Sequence, residues 1–201
     1  MTRSLAILMF DDVEVLDACG PFEVFSVANR ITSRDGGEPA FDVVLVGVSE
    51  GPVRARGGMR ISVDTTIDDT RHYDIVLVPG GVVHAVAADP AVIAWIEKNS
   101  KTTELTASVC TGAFLLAKAG VLDSRPVTTH WEDIGELRAV WPNLDVREGV
   151  RFLDHGDIAT SAGISAGLDL ALHLVGRLVT EEVAALTARQ MQYDWSDAQQ
   201  A

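Results

Sequence analysis

Four short runs, residues 5–10, 41–46, 75–78 and 105–108, are apolar along most of their length instead of alternating with polar residues. A strand of that kind buries both faces, as a parallel strand does when helices cover it above and below. Between the runs lie stretches of helical period. One covers residues 21–29 and opens on Gly20-Pro21; another covers 90–99 and opens on Asp89-Pro90. Proline suits the first helical turn, where its missing N–H would have had no partner. Further helices are predicted at 112–119 (closed by Gly120), 132–140, 165–178 and 181–191. A hairpin of residues 151–153 and 158–160 flanks His155-Gly156-Asp157. This order predicts a doubly wound, three-layer α/β sandwich with a mostly parallel central sheet. With 201 residues, 47% of them hydrophobic, the chain suits one domain over residues 1–201 better than two small ones.

The formal net charge of −13 repels phosphate backbones and anionic lipid, which argues against nucleic acid and membrane surfaces as partners. No apolar run approaches the roughly 20 residues that span a bilayer. The run at 5–10 is followed at once by Asp11-Asp12, with no small-residue cleavage site, so it reads as a buried strand of a cytoplasmic protein. The two cysteines, Cys19 and Cys110, are far apart and form no C-x-x-C pair. Neither a disulfide scaffold nor a structural zinc site is supported, and five scattered histidines give no metal pattern. The expected partner is a small molecule, bound without a metal or organic cofactor.

Cys110 falls where the run at 105–108 gives way to the helix after it, within Ala107-Ser108-Val109-Cys110-Thr111-Gly112. Parallel sheets collect ligands beyond the carboxyl ends of their strands. A sharp strand–nucleophile–helix turn exposes the side chain and aims unsatisfied helical N–H groups at whatever binds. The same helix end is expected to favour thiolate and lower the cysteine pKa. Small residues at Ser108 and Gly112 permit so tight a turn. The alternative for a lone thiol is an inert place in the core.

Other segments end strands or begin helices with suitable chemistry. Asp17 precedes Gly20-Pro21 and is either a general acid/base or a carboxylate favouring a helix N-terminus. Gly80 and Gly81 follow the run at 75–78; they allow close backbone approach and offer an N–H to a developing anion, as the Thr111 N–H does. Thr128-Thr129-His130-Trp131 supplies a candidate proton carrier in His130 and a candidate pocket wall in Trp131. Ser161-Ala162-Gly163-Ile164-Ser165 either lines the cavity or caps a helix. Asp169 and His173, one helical turn apart, read as structural.

Taken together, Asp17 with Gly20-Pro21, Pro79-Gly80-Gly81, Ser108-Val109-Cys110-Thr111-Gly112, Thr128-Thr129-His130-Trp131 and the segment 162–169 resemble the ThiJ/PfpI superfamily of the class I glutamine-amidotransferase-like fold. Cys-Thr-Gly, Thr-Thr-His-Trp and Arg189-Gln190-Met191-Gln192-Tyr193-Asp194 look most like its isocyanide hydratases, although their Pro-rich ending is replaced here by Trp195-Ser196-Asp197. The resemblance implies Cys110 as nucleophile, Asp17 as the carboxyl group facing its sulfur, Thr111 assisting through hydroxyl and N–H, Gly81 as a second backbone donor, and a homodimer. The protease branch carries histidine directly after the cysteine, where this chain has Thr111. The glyoxal-acting branch carries glutamate at the place of Asp17.

The reaction implied is addition of water to an isocyanide, giving an N-substituted formamide through a Cys110 thioimidate, with Asp17 carrying the proton. Two other readings remain. One is a ligand-binding sensor like the domain that precedes the helix-turn-helix region of AraC-type regulators, against which the end at Ala201 and the acidic charge are expected to speak. The other is a glyoxalase- or deglycase-like stress protein, whose Cys110 is reversibly oxidised or condenses with dicarbonyls.

Overall fold

Ile75, Val76, Leu77 and Val78 are all buried, and this run forms the middle strand of a seven-stranded sheet in a computed structural model that describes residues 2–195. In chain order the strands are β1 (Arg3–Met9), β2 (Phe41–Gly47), β3 (Thr65–Thr66), β4 (Ile75–Val78), β5 (Leu105–Val109), β6 (Phe152–Asp154) and β7 (Ile158–Ser161). Their order across the sheet is β6-β7-β5-β4-β1-β2-β3. Every neighbouring pair is parallel except the β6–β7 hairpin. Its turn is closed by Gly156, whose φ of 93° suits glycine and whose N–H meets Asp154 Oδ1 at 2.9 Å.

Helices α1 (Val15–Thr32), α6 (Ala166–Leu178) and α7 (Glu181–Gln190) pack on one another over one face. On the other side, α2 (His84–Ala88), α3 (Pro90–Ser100) and α4 (Gly112–Lys118) form a second group. The sandwich follows from the sequence: strands apolar on both faces need a helical layer on each. Ile7 pairs with Leu77, Val78 with Ser108, and Val109 with Ser161, so the carboxyl ends of β1, β4, β5 and β7 align at one edge. That edge carries the candidate site. No helix among the described residues is long and apolar enough to cross a membrane.

Several boundaries differ from expectation. α1 begins at Val15, so Pro21 lies inside the helix instead of opening it. The chain turns helical earlier because the Glu14 carbonyl accepts the Asp17 N–H at 3.1 Å. Pro21 then leaves the Asp17 carbonyl without its i+4 donor. Asp89 caps α3 as its sequence suggests, accepting the Ala91 N–H at 2.9 Å. The helix expected at 132–140 is split into a 3₁₀ turn, Trp131–Asp133, and α5 (Ile134–Val140). β3 and α2, of two and five residues, are too short to leave a readable period. Ser196 and Asp197 lie outside the described residues.

Candidate active site

Cys110 has φ 57°, a left-handed conformation that a side-chain-bearing residue adopts only when its surroundings impose it. Two segments do so. Its N–H reaches the Ser161 and Ala162 carbonyls at 3.1 and 3.3 Å, and its own carbonyl accepts the Thr129 hydroxyl at 2.9 Å. Two residues on, a Cβ at Gly112 would collide with the Val78 carbonyl, so glycine is what lets α4 start against β4. The turn expected from small residues around Cys110 is therefore present, and Thr129 is one of its anchors.

Asp17, fully buried in the first turn of α1, lies behind the sulfur. Its Oδ2 accepts the Gly80 N–H at 3.2 Å, while Oδ1 has no partner at ordinary hydrogen-bond geometry. Burial pushes the Asp17 pKa up to about 7. The Cys110 thiol pulls against that rise, Glu14's charge adds to it, and the Gly80 and Ile164 N–H groups pull the carboxyl back. Cys110 is pushed up to about 12, first by burial and then by the Asp17 charge, against the Thr111 N–H directed at the sulfur. The expectation that the helix end lowers the cysteine pKa is thus overturned. Desolvation and a neighbouring carboxylate outweigh the N–H, and the resting sulfur is a thiol. Across the wide interval between the two values, the pair holds one proton.

Gly81 does not offer a free donor. Its N–H meets Thr111 Oγ1 at 2.9 Å, and the same hydroxyl donates to the Gly81 carbonyl at 2.9 Å. The Gly80 N–H is committed to Asp17, so Pro79-Gly80-Gly81 holds the carboxyl group and the Thr111 side chain in place. Space requires glycine here: a Cβ on Gly80 would lie 2.6 Å from Thr111 N and Oγ1 and 2.9 Å from Asp17 Oδ2. At the sulfur, Thr111 is the donor, through its N–H first and its hydroxyl second.

A cavity of about 460 Å³ opens in front of Cys110 and Thr111. His130 lines it, with Nδ1 at 3.4 Å from the Glu132 N–H and 3.3 Å from Asp133 Oδ2. Its ring lies on Gly163, where a Cβ would strike it. Trp131 is 71% exposed and lies outside the lining. The aromatic wall is Phe114 and Trp141, edge-on at 5.8 Å. Phe114 was detectable in principle as an apolar residue in the first turn of the helix that follows Cys110; Trp141 carries no local signal. Glu14, Arg56 and Ile164 complete the mouth, with Glu14 Oε2 3.4 Å from Arg56 Nη1. Of the segment 161–165, Ile164 lines the cavity.

Asp169 and His173 do not line it. Asp169 is ion-paired with Arg151 and accepts the Tyr193 hydroxyl at 3.0 Å, whereas His173 Nε2 lies 2.8 Å from Asp154 Oδ2. Among the described residues, no three His, Cys, Asp or Glu side chains are grouped to hold a metal ion.

A family model described as DJ-1/PfpI matches residues 3–177. The chain is 30% identical over 194 residues to an isonitrile hydratase of Pseudomonas putida, covering 96% of this chain and 79% of that one. It is 28% identical over 190 residues to the HTH-type transcriptional regulator CdhR of Pseudomonas aeruginosa, covering 94% of this chain but 55% of the regulator. The chain thus spans about half the length of such a regulator. Among solved structures, a ThiJ/PfpI family protein from Pseudomonas syringae superposes with a TM-score of 0.85 at 24% identity, covering 98% of this chain and 78% of that one.

Proposed function

The chain belongs to the DJ-1/PfpI family, and from that premise we propose that it adds water to an isocyanide, with Cys110 as nucleophile and Asp17 as proton carrier. One observation carries the reading: a buried carboxyl group stands beside a buried thiol, the pair holding one proton above about pH 7, and no histidine among the described residues is paired to the sulfur. An isocyanide carbon must gain both a nucleophile and a proton, and this pair holds both.

Sulfur attacks the terminal carbon of R–N≡C, the thiol proton passes to Asp17, and Asp17 delivers it to the same carbon. The product is the thioimidate R–N=CH–S. Ionised Asp17 then takes a proton from water as the oxygen adds to that carbon, and passes it to the nitrogen. Collapse expels sulfur, which recovers a proton from the new hydroxyl, leaving R–NH–CHO. The Thr111 N–H stabilises negative charge on sulfur as it leaves. The thiol proton ends on the formyl carbon and the two protons of water supply the nitrogen and restore the thiol, so no external acid is consumed.

The test is formamide formation from an aryl isocyanide by the native protein beside Cys110→Ala. Turnover is expected from the first alone; equal turnover by a folded Cys110→Ala protein refutes the mechanism. A second reading, a ligand-binding sensor, draws on the similarity to CdhR. It gains if no isocyanide is hydrated while a small molecule binds the cavity.

A further inference from the structure

Val82, Val140 and Ile164 are 44%, 53% and 39% exposed, and all three edge the cavity whose floor holds Cys110. Apolar side chains gathered around one opening mark a surface meant to be covered. Deeper in, the Phe114–Trp141 pair presents aromatic carbon to the space that would hold the substituent of a molecule bonded to Cys110. The charged part of the lining is one-sided: four carboxylates face two fixed cations, Arg56 and Lys118. Arg56 is engaged with Glu14 at 3.4 Å, while Glu132 and Asp133 turn towards His130. Glu136 and Lys118 have no ion-pair partner among the described residues, and the whole chain carries −13. A negatively charged substituent entering here would meet four carboxylates against two cations, of which Lys118 alone is unpaired among the described residues.

Resting on the isocyanide reading, we infer that the substrate class is isocyanides bearing a bulky, apolar N-substituent without negative charge, and that Trp141 selects for it. The substituent lies against the Phe114–Trp141 wall under the exposed valines, which presents its terminal carbon to the sulfur. The cavity is wide enough for an aryl group and apolar where that group would lie. Trp141 is a specificity residue, acting on substrate bulk and not on the proton traffic at Cys110.

The experiment compares methyl, phenyl and 4-carboxyphenyl isocyanide. Phenyl isocyanide is expected to exceed its carboxylated analogue in kcat/KM by roughly tenfold. Trp141→Ala should cost phenyl isocyanide roughly tenfold in kcat/KM, chiefly through KM, and methyl isocyanide far less. Because Trp141→Ala can disturb packing, Glu136→Lys at an exposed position provides a second arm: it should narrow the gap between the neutral and the carboxylated substrate. Equal turnover of both aryl substrates, or equal losses for phenyl and methyl isocyanide in Trp141→Ala, overturns the inference while leaving the hydratase reading intact. If no isocyanide is hydrated, the hydratase reading fails and the substrate assignment falls with it, while calorimetry with N-phenylformamide against 4-formamidobenzoate still tests the cavity's preference for an uncharged aryl group. Binding of the neutral compound alone supports it; equal binding or none overturns it.

Discussion

Asp17→Asn should make the protein more stable at pH 8 than at pH 5, relative to the native chain. The Asp17 carboxyl is fully buried, and its pKa rises from an ordinary 3.8 to about 7 because burial disfavours the charged form. Between those values the folded protein holds a proton that the unfolded chain releases. The stability contributed by this group is therefore complete below 3.8 and declines as pH rises towards 7. The displacement spans about three pH units at about 1.36 kcal/mol each, so ionising Asp17 in place costs about 4 kcal/mol in full. From pH 5 to pH 8 the change is about 2–3 kcal/mol. Asparagine preserves the oxygen that accepts the Gly80 N–H but has no proton to lose, so its stability lacks this dependence. The assay is urea unfolding of both proteins at pH 5 and pH 8, read as the difference of differences, in which every other titrating group cancels. A gain of about 2–3 kcal/mol for the variant is expected, or roughly 5–10 °C in Tm for a domain of this size. Parallel curves, with no gain at pH 8, would refute the placement of Asp17 as a desolvated acid.

Other consequences can be measured separately. If the active form is the pair holding one proton, kcat/KM for the isocyanide should rise with pH through about 7 and stay level to pH 10, since the second loss waits near 12; an acid limb near 4 would count against Asp17. Gly80→Ala should cost roughly 1–3 kcal/mol of stability and most of the activity, because its methyl group would press on Thr111 and Asp17; an unchanged urea midpoint would refute the packing argument. Thr111→Val leaves the Gly81 N–H and carbonyl unpaired and should cost about 1–3 kcal/mol, measured in the same way. Thr129→Val removes the hydroxyl bonded to the Cys110 carbonyl and should slow turnover more than it lowers Tm, with steady-state kinetics beside a melt as the check.

The sheet was legible in the sequence because a strand covered on both faces leaves an apolar run, as at 75–78 and 105–108. Cys110, Asp17, Thr111 and the two glycines were legible for a related reason: each sits at a strand end or within a helix's first turn, where parallel topology makes ends converge. What escaped was geometry that depends on partners distant in sequence. The commitment of the Gly81 N–H to Thr111 depends on a side chain 30 residues away. The raised cysteine pKa depends on burial, which no local pattern reports, so the favourable helix end was given too much weight. Trp131 stands in a conspicuous motif, yet Trp141, ten residues on, forms the wall because α5 ends against α4 there. The start of α1 escaped because Gly20-Pro21 looks like a beginning wherever it stands.

The Cys110 turn is fastened through its own main chain, by the carbonyls of residues 161 and 162 and the hydroxyl of Thr129, and none of these bonds passes through the sulfur itself. The turn is therefore a socket whose shape does not depend on its contents. Serine or alanine at position 110 would inherit the same pose, and reactivity could be gained, altered or silenced there without refolding the protein. A lineage built on such a socket is free to divide between catalysts and detectors by exchanging single side chains around a constant frame.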